Sequence, residues 1–199
     1  MIIEGIFIGD ELCDGRITNT NQQYIAQQVT NAGFSLDRSI TIGDNLTALT
    51  NQLTQSIQQS NVIICTGGMG PTDDDRTTTA IAAACQVDLV CNQQALTHIK
   101  DYFSQTKRTM PQANKKQAYF PQGATIIDNP LGTAPGFHLI HQHCHIFCCP
   151  GVPKEMHPML NNIIIPTIKK EFKANQQQRN QLLFKCVGIG ESHCAELLA

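Results

Sequence analysis

Short, almost wholly apolar runs alternate along this chain with segments whose apolar residues recur every three or four positions, and the alternation predicts strands and helices in turn. Residues 2–8 read as a buried strand closing on Gly9-Asp10-Glu11. Residues 18–32 carry Ile25, Ala26, Val29 and Ala32 at helical spacing before the stop signal Gly33. A second strand is expected over 34–42, followed by a turn at Gly43-Asp44-Asn45 that offers a helix cap and an amphipathic helix through Leu46, Leu49, Leu53 and Ile57. The run 61–65 forms a third strand, and 80–85 the body of a further helix. Three strands separated by helices imply parallel pairing with right-handed crossovers, hence an α/β fold.

Farther along, 89–91 reads as an added edge segment, 94–105 as a helix, and 107–116 as a polar, mobile loop. Strand-like runs cover 125–128, 136–140 and 144–148. The last two make a hairpin around His141-Gln142-His143, a turn without an Asn-Gly signal. A helix over 154–173 is interrupted near Pro166, and a final strand is expected over 181–187. Residues 1–175 then form one main domain, and 176–199 begin a second small domain cut short or a C-terminal extension.

Composition narrows the function classes. At 199 residues and 41% hydrophobic content the chain can bury one substantial core. A net charge of −2 with 15% charged residues gives no basic field, so no nucleic-acid partner is expected. Nine cysteines, odd in number and mostly within apolar surroundings, suit reduced, packed thiols and a cytoplasmic protein. No signal-peptide pattern and no apolar run of membrane length occur, so no membrane partner is expected.

The chemistry concentrates after the third strand, in Thr66-Gly67-Gly68-Met69-Gly70-Pro71-Thr72-Asp73-Asp74-Asp75-Arg76-Thr77. Glycines let the backbone approach a bound group, and unpaired N–H groups near a helix start attract phosphate. Three adjacent carboxylates there repel an anion unless a divalent cation bridges them to it, which points to a metal-assisted phosphate or pyrophosphate site. The plain alternative is that Thr72 or Asp73 is an N-cap and the acids sit in a first helical turn. No Walker signature is present, and Gly188-Ile189-Gly190 lacks the third glycine of a dinucleotide fingerprint. Ligands of open parallel sheets bind beyond the strands' carboxyl ends, so Asp10, Glu11, Asp44, Asp73, Asp74 and Asp75 are expected to crowd one rim.

Five segments, Gly9-Asp10-Glu11-Leu12, Asn19-Thr20-Asn21, Thr66 to Thr72 with Asp74-Asp75, Asn129-Pro130-Leu131-Gly132-Thr133-Ala134-Pro135-Gly136 and Pro150-Gly151-Val152-Pro153-Lys154-Glu155-Met156, resemble in the same order the N-terminal domain of the competence/damage-inducible CinA family. That domain is similar to the molybdopterin-binding MoaB/Mog fold. The resemblance implies a three-layer α/β/α sandwich with a mostly parallel sheet, and ADP-ribose pyrophosphatase activity dependent on a divalent metal (Mg²⁺, Mn²⁺ or Co²⁺). It equally brings molybdopterin as a possible ligand, and self-association to a dimer or trimer. Carried over by motif, Asp44, Asp74 and Asp75 are the catalytic candidates, and Asp10, Glu11 and Asp75 the metal ligands. Gly67, Gly68, Met69, Gly70, Thr72, Asn21, Lys116, Gly132, Thr133 and Gly136 are the expected contacts to a nucleotide or pterin. Residues 184–192 resemble the turn that opens a small middle domain in longer members.

Alternatives stay open. The domain is either a hydrolase, a non-catalytic module that binds molybdopterin or a nucleotide, or an adenylyl-transfer enzyme of cofactor assembly. Lys115 and Lys116 are either a cationic clamp or solvated surface. His138, His141, His143, Cys144, His145, Cys148 and Cys149 suggest zinc by type, but strand alternation separates His143 and His145 from Cys144 and Cys148, so packed thiols and a polar hairpin face are expected.

Overall fold

A computed structural model describes residues 1–173 and 187–198. Its centre is a six-stranded sheet in the order β2-β1-β3-β8-β7-β6, built from β1 (Ile3–Ile8), β2 (Arg38–Ile42), β3 (Val62–Thr66), β6 (Thr125–Ile127), β7 (Gly136–His141) and β8 (Cys144–Cys149). The pairs β1–β2, β1–β3 and β3–β8 are parallel, whereas β7 and β6 return antiparallel at one side. The hairpin β7–β8 turns on Gln142-His143, with Gln142 at φ 54 in the left-handed region, so the turn forms without glycine.

Period-two alternation divides the apolar side chains between two cores, one on each face. Ile6, Ile8, Ile63, Cys65, Ile146 and Cys148 pack under α3 (Leu46–Gln59), α4 (Thr77–Cys85) and α5 (Gln93–Gln105) through Leu49, Leu53, Ala80, Ile81, Ala95 and Ile99. Ile3, Phe7, Val62, Ile64, Phe147 and Cys149 pack under α2 (Thr20–Asn31) and the long C-terminal helix. The result is helices on both faces of the sheet, as in a three-layer α/β/α sandwich.

Three expectations need correction. Leu89–Cys91 (β4) pairs antiparallel with β5 (Tyr119–Pro121) in a separate ribbon and is not an edge of the main sheet. The stretch expected as a mobile loop holds a 3-10 helix over Gln112–Ala118 whose Asn114 and Gln117 are buried. The C-terminal helix runs from α6 (Pro153–Met159) through a π-helical turn (Leu160–Ile164) into α7 (Ile165–Glu171). Pro166 lacks an N–H, and the wider turn just before it, with Ile165 N–H donating to the Leu160 carbonyl, lets the helix continue past it. The strand expected over 181–187 lies, but for Val187, outside the described residues, as does the expected boundary at 175. Among the described residues no helix is long and apolar enough to cross a membrane.

Hydrophobic patterning also conceals one buried charge. Glu4 on β1 is fully buried and is met by Ser56 Oγ at 2.5 Å, Ser60 Oγ at 2.8 Å and the Arg38 guanidinium at 2.9 Å. This network closes the amino-terminal end of the sheet, so the carboxyl end is left to carry the loops that matter below.

Candidate functional site

Because β1, β2, β3 and β8 run parallel, the loops that follow them open onto one edge, and there they enclose a cavity of about 780 Å³. Asp10, Glu11, Asp44, Asp74, Asp75, Gly67, Gly68, Met69 and Gly70 all line it. Five of the six carboxylates expected on this rim are therefore assembled, with the glycine loop beside them, while Asp73 does not line the cavity and stays on the exposed turn.

Gly67 and Gly68 sit at φ 100 and φ 62, and a Cβ on Gly67 would run into the Ile8 carbonyl, so only glycine takes the chain from β3 over the end of β1. The loop is held on several sides. Gly67 N–H donates to the Cys149 carbonyl at 3.2 Å, Thr77 Oγ1 donates to the Gly67 carbonyl at 2.7 Å, and Gln117 Nε2 donates to the Met69 carbonyl at 3.3 Å. The N–H groups of Gly68, Met69 and Gly70, by contrast, make no hydrogen bond to any described residue. Unpaired amides around a concave loop form an anion-accepting surface. The acids do not occupy a first helical turn as the plain alternative supposed: α4 begins at Thr77 with Arg76 as its cap, and Asp73 to Asp75 precede it in a turn.

The acids come in two groups. Asp10 and Asp44 clasp each other through the backbone, Asp10 N–H donating to Asp44 Oδ2 at 2.9 Å and Asp44 N–H to Asp10 Oδ1 at 3.1 Å. Asn45 is freed to cap α3, its side chain accepting from Ala48 N–H at 3.0 Å. Burial raises the Asp44 carboxyl above the usual carboxylate range, the Asp10 amide pulls it back, and the negative fields of Asp10, Glu11 and Asp75 push it further up. No ion pair among the described residues involves any of these acids. Asp75 accepts from Thr72 N–H at 2.9 Å and Thr72 Oγ1 at 2.6 Å. The expected trio of metal ligands, Asp10, Glu11 and Asp75, is not drawn into a ready-made cage, since among the described residues no three His, Cys, Asp or Glu side chains are placed to hold an ion. The donor chemistry still fits Mg²⁺, which takes one or two carboxylates and completes its shell with water and substrate phosphate.

Other expected contacts fall in different places. Asn21 lines the cavity at the start of α2, 8% exposed, with Nδ2 donating to the Gly151 carbonyl at 2.8 Å and Oδ1 without a partner. Thr133 lines it too. Thr72 serves Asp75, and Lys116 Nζ donates to the Thr72 carbonyl at 2.5 Å, so neither lines the main cavity. Gly136 starts β7, is buried beside Cys148 and Met159, and does not line the cavity. Gly132 is likewise not a lining residue. It makes room for the Glu155 carboxylate, which Asn129 Nδ2 holds at 2.7 Å. The second signature loop thus orients Glu155, a cavity-lining acid that the sequence reading passed over together with Gln117 and Arg16. The Asn129 and Glu155 motifs, 26 residues apart, were the available signal for that pair.

The His/Cys cluster divides across the sheet. His138 and His145 meet at 3.2 Å on one face, while Cys144 and Cys148 lie in the opposite core with Cys65 and Cys85, and His143 sits in the turn. Burial pushes the Cys85 thiol up to about 11 and Cys144 up to about 12, the behaviour of packed thiols.

Comparison with known proteins places this arrangement in a family. A family described as "Probable molybdopterin binding domain" matches residues 4–170. A CinA-like protein of Desulfosudis oleivorans is 39% identical over 199 residues, covering 100% of this chain and 48% of its own length. One of Syntrophotalea carbinolica is 40% identical over 188 residues, covering 94% and 45%. The chain spans about half the length of these relatives. Among solved structures, the protein CinA of Thermoplasma acidophilum, described as of unknown function, aligns with TM-score 0.76 at 30% identity, covering 85% of this chain and 96% of that one. The molybdopterin biosynthesis enzyme MoaB of Thermus thermophilus aligns at TM-score 0.55 and 16% identity over 88% and 97%, which shows the shared fold. The chain belongs to the molybdopterin-binding domain family, and within it to the CinA type.

Proposed function

We propose that the cavity binds a phosphate-bearing nucleotide together with a divalent cation and hydrolyses its pyrophosphate bond, as an ADP-ribose pyrophosphatase does. The observation that carries this reading is a loop whose Gly68, Met69 and Gly70 amides make no hydrogen bond to any described residue, lining the same cavity as six carboxylates, Asp10, Glu11, Asp44, Asp74, Asp75 and Glu155, with Arg16 the only cationic side chain among the lining residues. An anion surface beside a concentrated negative field is coherent when a cation mediates between them. Asp10 and Asp44 would hold such a cation, which would supply Lewis acidity toward a phosphoryl oxygen and a water. The loop amides then stabilise charge that develops on the phosphoryl oxygens, and Asp75, held by Thr72 through one oxygen only, is suited to take the proton of the attacking water. Water adds to one phosphorus and the bridging P–O bond breaks, giving two monophosphates.

The test is hydrolysis of ADP-ribose, FAD and NADH with Mg²⁺, Mn²⁺ or Co²⁺. Metal-dependent turnover is expected on at least one, and Asp75→Asn is expected to lower kcat about 100-fold. A second reading, a module that only holds a nucleotide or molybdopterin, draws support from Asp75, whose carboxylate is already engaged by Thr72. Absence of turnover in every combination, with Asp75→Asn keeping ligand affinity, decides for that module.

A further inference from the structure

The run Asp73-Asp74-Asp75 stacks three like charges on a solvent-facing turn, yet the turn is ordered by contacts that leave the carboxylates of Asp73 and Asp74 without a hydrogen bond among the described residues. Two cations supply the order through main-chain carbonyls. Arg76 Nε donates to the Asp73 carbonyl at 2.9 Å, and Lys116 Nζ donates to the Thr72 carbonyl at 2.5 Å. Lys116 comes from a different part of the chain, 44 residues away, on the 3-10 helix next to Gln117, which grips the Met69 carbonyl. Thr72, seized by its carbonyl, presents both N–H and Oγ1 to one oxygen of Asp75. Asp75 in turn lies against Gly70, where a Cβ would meet its carboxylate.

We propose that Lys116 is a positioning residue that, through Thr72, fixes the glycine loop and the direction of Asp75 before any ligand arrives, and that it does not clamp the ligand's phosphates. The geometry separates the two roles. A phosphate clamp keeps its ammonium toward the cavity, whereas here the ammonium is turned to a carbonyl and Lys116 is absent from the main cavity's lining. An ammonium donating to a carbonyl is a charge-assisted bond, roughly twice as strong as a neutral one. Gln117 anchors the other end of the same loop, so the segment from Met69 to Thr72 is held at both ends by a single short helix. This role holds for either function above, since a binding module and a hydrolase both need the loop preformed.

The experiment uses the full chain. In ligand-free ¹H–¹⁵N spectra, Lys116→Met is expected to move the amide signals of Gly70 and Thr72 to Asp75, leave those of Asp44 and Asn45 in place, and lower the thermal midpoint little. Lys116→Arg is expected to restore the wild-type loop signals, because the guanidinium reaches the same carbonyl. If turnover of ADP-ribose is found, Lys116→Met lowers kcat about tenfold with KM within twofold, and Thr72→Val gives the same pattern without adding to it. Spectral changes confined to residues 115–118, or a KM that rises with kcat unchanged, overturn the proposal in favour of a clamp. Should wild-type protein hydrolyse nothing, the pyrophosphatase reading falls while the ligand-free spectra still decide the role of Lys116.

Discussion

Asp44 is the residue at which fold and chemistry pull against each other. Its carboxyl is raised because burial and three neighbouring acids disfavour the charged form. A carboxyl whose pKa is higher folded than unfolded adds stability below the unfolded pKa and loses that advantage as pH rises through the folded value, so at neutral pH ionised Asp44 costs the fold. Asparagine keeps the oxygen that accepts from Asp10 N–H and removes the charge. Asp44→Asn is therefore expected to raise the thermal midpoint at pH 7 by roughly 1–3 °C, modest because the group is partly solvated. The gap to wild type is expected to close as pH falls into the ordinary carboxylate range. Adding Mg²⁺ is expected to raise the wild-type midpoint and leave the variant's unchanged. A variant less stable than wild type at pH 7 contradicts the account.

Elements were legible in the sequence wherever hydrophobic period and local signals agreed. The three parallel strands, the cap at Asn45 and the β7–β8 hairpin follow from apolar runs and helix spacing that tertiary packing reinforced. What escaped was set by contacts between distant segments: the ribbon that takes β4 away from the sheet, the 3-10 helix that a polar stretch hides, and the π turn before Pro166. The glycine loop and most of its acids were legible as the lining of one cavity because loops after parallel strands gather at one edge, whereas Glu155 and Gln117 were not, their direction depending on Asn129 and on the 3-10 helix. The hairpin carries its own titration. His138 stacks on Phe147 with ring centroids 4.2 Å apart and touches His145, which meets Phe172 edge-on. Burial and the neighbouring His145 lower His138 to about 4, with Glu171 opposing. The unfolded chain thus binds the proton more readily, and stability is expected to fall as pH drops from about 6.5 toward 4. Since the ring is only half buried, the loss attributable to His138 is about 1 kcal/mol. His138→Phe, which keeps the stack, is expected to flatten that part of a urea-denaturation profile against pH, and an unchanged slope would remove His138 as its source.

At the scale of the molecule, parallel pairing gathers the site. Loops after β1, β2, β3 and β8 share one edge whatever their sequences, so residues from 10 to 155 meet in one cavity. The two cores that hold the sheet draw every buried apolar residue among the described ones from between Ile3 and Ile168. In α8 (Glu191–Leu198) the side chains from Glu191 to Leu197 are exposed or half-buried, with Leu197 70% exposed. Stability scales with apolar area removed from water, and the described part of the chain beyond Ile168 adds almost none of it. A chain lacking residues 187–199 is accordingly expected to unfold cooperatively with a midpoint within about 2 °C of the full 199 residues, and to give the same Mg²⁺-induced shift. Retention of the cavity's cation response by the shortened chain would place the whole site ahead of α8, whereas loss of cooperativity would mean that α8 completes a core the sheet and its helices leave unfinished.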